Sequence, residues 1–178
     1  MKTKIKAYEF LNDKQLTEYI IPYGVTEIGT IAFCGCTSIK SITIPDGVTE
    51  IGSLAFKNCI SLTSIDIPDS VTSIGWAAFA DCHSLTNVTF GNSITAISDC
   101  TFRDCTSLTS ITIPNSVTWI GDNAFSGCSS LTSVIIPDSV TRIGVYAFAG
   151  CTSLKSITIP RGCQCNCMFN DKLEIIVR

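Results

Sequence analysis

The sequence is poor in charge and has no block of either sign: 15% of its 178 residues are Asp, Glu, Lys or Arg, and the formal net charge is −3. No Lys/Arg run or basic patch is present, so the electrostatic footprint of a nucleic-acid or anionic-membrane binder is missing. No apolar run is long enough to span a bilayer, and no membrane insertion is expected. The first residues, MKTKIKAYEFLND, carry a polar residue every one or two positions and lack the apolar core of a secretory signal. With Met1 as the natural start, that pattern and the abundance of free thiols place the chain in a reducing, cytoplasmic setting.

The residues of catalysis are equally sparse. There is one histidine, His83, and no GxSxG, Walker loop, dinucleotide glycine pattern or HExxH. Ser and Thr are plentiful, but no second histidine exists to activate one of them. A Cys82–His83 dyad would put its nucleophile on a buried column. The expectation is a non-enzyme with no cofactor.

Proline is confined to six positions, and those positions are the key to the chain. Pro22, Pro45, Pro68, Pro114, Pro137 and Pro160 fall on one 23-residue grid, with Gly91 in the single empty slot. Cys36, Cys59, Cys82, Cys105, Cys128 and Cys151 keep the same beat. So do Phe10, Phe33, Phe56, Phe79, Phe102, Phe125 and Phe148. A fixed period of this size means stacked units, each too small to bury its own apolar face.

One unit, residues 62–84, reads LTSIDIPDSVTSIGWAAFADCHS. Ile65 and Ile67 alternate with Ser64 and Asp66, the pattern of a half-buried strand. Pro68 ends the ladder and Pro-Asp-Ser turns the chain. A second extended piece points Val71 and Ile74 inward. Gly75 permits a bend, and Ala78-Phe79 reads as about one turn of helix, α or 3₁₀. Asn58, Asp81, Gly127 and Gly150 precede the ladder cysteine, where their residue types suit a helix C-terminus.

This unit resembles the BspA-like class of leucine-rich repeats, approximately LTSITIPDSVTSIGxxAFxxC; residues 108–128, LTSITIPNSVTWIGDNAFSGC, depart from it at few positions. The resemblance covers about residues 5 to 160. It implies an α/β repeat solenoid: a right-handed leucine-rich-repeat coil stack with one parallel sheet of short strands and short helical or 3₁₀ turns opposite. It also implies protein binding, adhesin-like or inhibitory, often on bacterial or protist surfaces. The partner expected is another protein. A purely structural or self-assembling repeat is the alternative.

The whole chain, 1–178, reads as one solenoid: a cap coil over 1–22, repeats over 23–160 and a C-terminal cap over 161–178. Lys2, Lys4, Lys6 and Lys14 cover the first end. In the last cap, Cys163 takes the Val slot, Asn166 the Ile slot, Met168-Phe169 stand in for Ala-Phe, and residues 173–177 supply a closing strand. The coil at 85–107 deviates: Phe90 for Ile, Gly91 for Pro, Ser98 for Gly and Thr101 for Ala predict a local change of curvature.

Six cysteines in one column have side chains pointing the same way, so they read as packed, reduced thiols rather than disulfides. Cys163, Cys165 and Cys167 alternate along the cap. They are open to three readings: a soft-metal site without an obvious fourth ligand, a disulfide-forming pair, or packing of the cap.

Binding information in a solenoid sits in outward slots that break the consensus. One such column is Glu27, Glu50, Ser73, Ala96, Trp119 and Arg142. Another is the pair after the Gly slot, which includes Trp76 and Tyr146. Trp119, Arg142, Tyr146 and Trp76 are therefore the candidate binding residues, since Trp, Tyr and Arg anchor interfaces. Trp76 and Tyr146 also read as padding between coils, and Arg142 as a cover for the Trp119 ring.

Overall fold

A computed structural model describes residues 3–165 and 173–178. The chain is a parallel β-solenoid in which each coil contributes two short strands. In chain order these are β1 (Lys4–Ile5), β2 (Glu18–Ile20), β3 (Glu27–Ile28), β4 (Ser41–Thr43), β5 (Glu50–Ile51), β6 (Ser64–Ile67), β7 (Ser73–Ile74) and β8 (Asn87–Phe90). They continue as β9 (Ala96–Ile97), β10 (Ser110–Thr112), β11 (Trp119–Ile120), β12 (Ser133–Ile135), β13 (Arg142–Ile143), β14 (Ser156–Ile159), β15 (Gln164–Cys165) and β16 (Glu174–Val177).

The expected single sheet is two columns. The Ser-x-Thr strands stack as β2-β4, β6-β8 and β10-β12-β14-β16, and the two-residue strands as β1-β3-β5-β7 and β9-β11-β13-β15. All pairings are parallel, and those before the C-terminal cap are in register at the repeat period, as with Ser110↔Ser133 and Ile120↔Ile143. Alternation holds within each strand: in β6, Ser64 and Asp66 are exposed while Ile65 and Ile67 are buried. Inward Ile, Val and Leu slots merge along the stack into one continuous core.

The expected helical turns are absent: the described residues contain no helix. The Ala-Phe-x-x-Cys segment forms a ribbon of consecutive turns whose amides alternate between two kinds of acceptor. Ala32, Cys34 and Cys36 donate within their own coil, to Gly29, Ile31 and Phe33. Ile31, Phe33 and Gly35 donate instead to Ser53, Ala55 and Lys57 of the next coil, at 2.7–2.9 Å. A helix would use every amide inside one segment; here half of them are spent on stacking. The ribbon requires two left-handed residues per coil, four apart, such as Leu54 (φ 59°) with Asn58 (φ 60°) and Ala77 (φ 50°) with Asp81 (φ 62°). The slot before the ladder cysteine is thus left-handed, as its residue types suggested, although no helix precedes it.

Within the ribbon the seven phenylalanines stack face to face, with centroids 4.8–5.5 Å apart and planes within 13°. The six ladder cysteines lie beside them as free thiols, each donating to the carbonyl of a Phe in the preceding coil.

At the first end Ile5 is buried in register and Lys4, Lys6 and Lys14 are exposed; Lys2 lies outside the described residues. At the other end β16 pairs with β14 as the closing strand, Ser156↔Glu174 to Ile159↔Val177. The cap register differs from expectation by one residue. Cys165, rather than Asn166, stands opposite Ile143, so the turn after Pro160 has lost a residue. Asn166, Met168 and Phe169 lie outside the described residues.

Candidate binding surface

The coil at 85–107 departs from its neighbours on two edges at once. In a regular coil, glycine is demanded by close approach: a Cβ at Gly52 would lie 2.6 Å from the Thr30 amide nitrogen. Ser98 carries that Cβ, and β9 is not paired with β7. Where Gly52, Gly75, Gly121 and Gly144 donate an amide to the preceding Ile, the Ser98 hydroxyl donates to Ile74 O at 2.6 Å. Thr101 is fully buried and donates its hydroxyl to Ser98 O at 2.7 Å, so the two polar replacements compensate one another.

On the other edge the loss of proline has the opposite effect. Gly91 has an N–H, which it donates to Ile67 O at 2.7 Å, and the Asn92 amide donates to Asp69 Oδ1 at 2.7 Å. A Cβ at Gly91 would fall 2.5 Å from Asp69 N and Cα. The turn is therefore bonded to the preceding coil. β8 bonds fully to β6 and not at all to β10. Phe90 fills the core beneath, edge-on to Phe102 at 5.8 Å.

A groove runs past Asn92 and Pro114. It consists of two adjoining cavities of about 640 and 310 Å³ that share Asn92, Thr112 and Pro114. The larger one reaches Ile135 and Asp138 and ends at Arg178, whose guanidinium bonds Asp138 at 3.0 Å and Ile136 O at 2.8 Å. The sequence signals the deviant coil. It does not signal the groove, because that depends on Asp69 of the previous coil and Arg178 of the last strand.

The four candidate residues lie on a different edge, at and after the two-residue strands. Trp119 stands between Ala96 and Arg142 in the β9-β11-β13 ladder. Its slot tolerates solvent in other coils, yet Trp119 is half-buried and its indole N–H is buried without a partner. Arg142 is exposed. Trp76 and Tyr146 are 49% and 43% exposed. Arg142 and Tyr146 belong to one coil, and Arg142 is the ladder partner of Trp119. Trp76 lies three coils before Tyr146, roughly 15 Å along the stack.

The chemical alternatives leave less. Cys82 is buried, its thiol donates to Phe56 O at 3.2 Å, and burial pushes its pKa up to about 12, so it forms no dyad with the exposed His83. Of the cap cysteines, Cys163 is free and Cys165 is disulfide-bonded; Cys167 lies outside the described residues. Among the described residues no group of three His, Cys, Asp or Glu side chains is placed to hold a metal. Among the described residues there is no helix long and apolar enough to cross a membrane.

The sequence matches the family model described as BspA type leucine rich repeat region, in six copies over residues 3–129 and 72–175. The fold superposes on the leucine-rich repeat protein of T. pallidum with TM-score 0.80 and 36% identity, over 85% of this chain and 71% of that one. A leucine-rich repeat protein from Eubacterium ventriosum gives TM-score 0.77 and 31% identity over 82% of this chain and 40% of its own. A leucine rich cell surface protein from Faecalibacterium prausnitzii gives TM-score 0.65 and 32% identity over 97% of this chain and 51% of its own. No curated protein matches. Period, core slots, solenoid topology and these similarities agree: the chain belongs to the BspA-type leucine-rich repeat family.

Proposed function

We propose that the chain is a non-catalytic protein-binding scaffold whose partner docks on the edge bearing Trp76, Arg142 and Tyr146. The family as a whole supports an interaction or adhesin-like scaffold. The observation that carries the finer reading is exposure: Trp76 and Tyr146 are large, amphipathic and open to solvent, whereas the Ser-x-Thr strand face is mostly small and polar. Hydroxyl faces are well hydrated and contribute little when covered, while aromatic and Arg anchors dominate interface energies. The half-buried Trp119 is the floor of this edge rather than its anchor. The test compares partner capture from native lysate by wild type, Trp76→Ala, Arg142→Ala and Tyr146→Ala. A binding edge loses the captured species in at least one of the three while Ser41→Ala and Ser110→Ala retain it. Capture unchanged in all three moves the partner to another face.

One observation favours a second reading, self-association. Ile175 and Val177 occupy core register opposite Ile157 and Ile159, yet are 48% and 63% exposed on the last strand. Such an edge is a template for pairing. Concentration-dependent light scattering that is abolished by Val177→Lys would establish it.

A further inference from the structure

We propose that the groove beside the coil at 85–107 is a binding site for a neutral saccharide, separate from the aromatic edge. Its chemistry selects the class. Only two ionisable side chains line it, Asp138 and Arg178, and they neutralise each other at 3.0 Å. An anionic ligand such as a phosphate therefore meets no uncompensated cation.

The remaining polar groups are amides and hydroxyls. Asn87, Asn92 and Asn115 each carry a donor pair and an acceptor on one planar group, the combination that adjacent sugar hydroxyls require. The Asn87 and Asn115 side chains make no hydrogen bond within the described residues, so both are available. The 62% exposed Ile135 supplies an apolar surface beside them, suited to the C–H face of a pyranose, with the buried Pro114 and Pro137 at the back of the groove. The groove crosses three coils, roughly 10 Å, enough for a short oligosaccharide.

A peptide fits less well. Its affinity would rest on a deep pocket for an anchoring side chain. The single aromatic here, Phe90, is turned into the core against Phe102. One end of the site is set by the broken repeat, where the Gly91 N–H is bonded to Ile67 O and a Cβ would meet Asp69.

The test is titration calorimetry of the full chain against neutral trisaccharides of gluco, galacto, manno and N-acetylhexosamine configuration, with a matched panel of uncharged hexapeptides. We expect at least one trisaccharide to saturate, and Asn115→Ala or Thr112→Ala to weaken it about tenfold, the loss of one well-placed hydrogen bond. Both residues are exposed, and each variant's thermal midpoint is measured beside its affinity. Trp76→Ala should bind the sugar as wild type does, which separates this site from the protein-binding edge. Three results overturn the proposal: no saturating trisaccharide, saccharide binding unchanged in both groove variants, or saturation by peptides alone.

Discussion

Cys59 Sγ donates to the carbonyl oxygen of Phe33 at 3.2 Å, the same oxygen that accepts the Cys36 amide. That pairing ties the thiol column to the ring stack and removes both from solvent. Alkylation followed by peptide mapping should label Cys34, Cys100 and Cys163, all half-buried, in the native protein. Cys59, Cys82, Cys105 and Cys128 should label only after unfolding without reductant. Native labelling of Cys59 at the rate of Cys34 would contradict the column's burial.

Stability should also fall in alkali. Burial strips water from the thiolate and raises Cys36 from 9.0 to about 11 and Cys82 and Cys151 to about 12. The fold favours the neutral thiol, so this contribution is complete below about pH 9 and is lost as pH rises through 11–12. Urea midpoints should be flat from pH 7 to 9 and decline above it, less steeply in Cys82→Val. A Cys82→Val curve that declines as fast as wild type would assign the loss to other groups.

The ring stack predicts a positional gradient. Phe79 is fully buried between Phe56 at 5.1 Å and Phe102 at 5.5 Å, whereas Phe10 ends the stack half-buried. Phe79→Ala should cost about 3–5 kcal/mol, and Phe10→Ala clearly less, by urea denaturation. Equal losses would mean that the stack does not set stability.

Ile31 sits at φ 62°, where the branched Cβ crowds its own carbonyl. Asn123 occupies the same slot four coils later, at φ 54°, with a side chain that tolerates this conformation. Ile31→Asn should therefore gain about 1 kcal/mol of backbone relief, seen as a raised thermal midpoint. A lowered midpoint would show that Ile31 packing outweighs its strain.

Trp119 and Arg142 separate packing from binding. Trp119 is half-buried with its N–H enclosed, and its neighbour Arg142 is exposed. Trp119→Ala should lower the thermal midpoint. Arg142→Ala should leave it unchanged while reducing partner capture. Unaltered stability in Trp119→Ala would return that residue to the role of an anchor.

Period, inward slots and the deviant coil are all legible in the chain, because stacking imposes the same demand every 23 residues. The ribbon is not. Ala-Phe-x-x-Cys has helical spacing, and Ile31, Leu54 and Tyr146 give no sign that their slot is left-handed; what excludes a helix is the neighbouring coil's claim on alternate amides. The half-burial of Trp119 is not legible either. Slot statistics describe Glu27 or Glu50, while its own burial comes from ring size. The groove is legible only in part, since Gly91 and Ser98 announce a disturbance whose direction is set by bonds to Asp69 and Ile74.

The breaks around residues 85–107 are staggered: β8 stays with the coils before it and β9 with the coils after it. Each of this coil's two interfaces therefore keeps one strand ladder and loses the other, while the turn ribbon and the Phe79–Phe102–Phe125 stack run through both. In a repeat array, cooperativity is carried by nearest-neighbour interfaces. Two successive interfaces held by two ladders instead of three are where the unfolding transition divides, so amide exchange would report cooperative units of unequal protection within a single uninterrupted core.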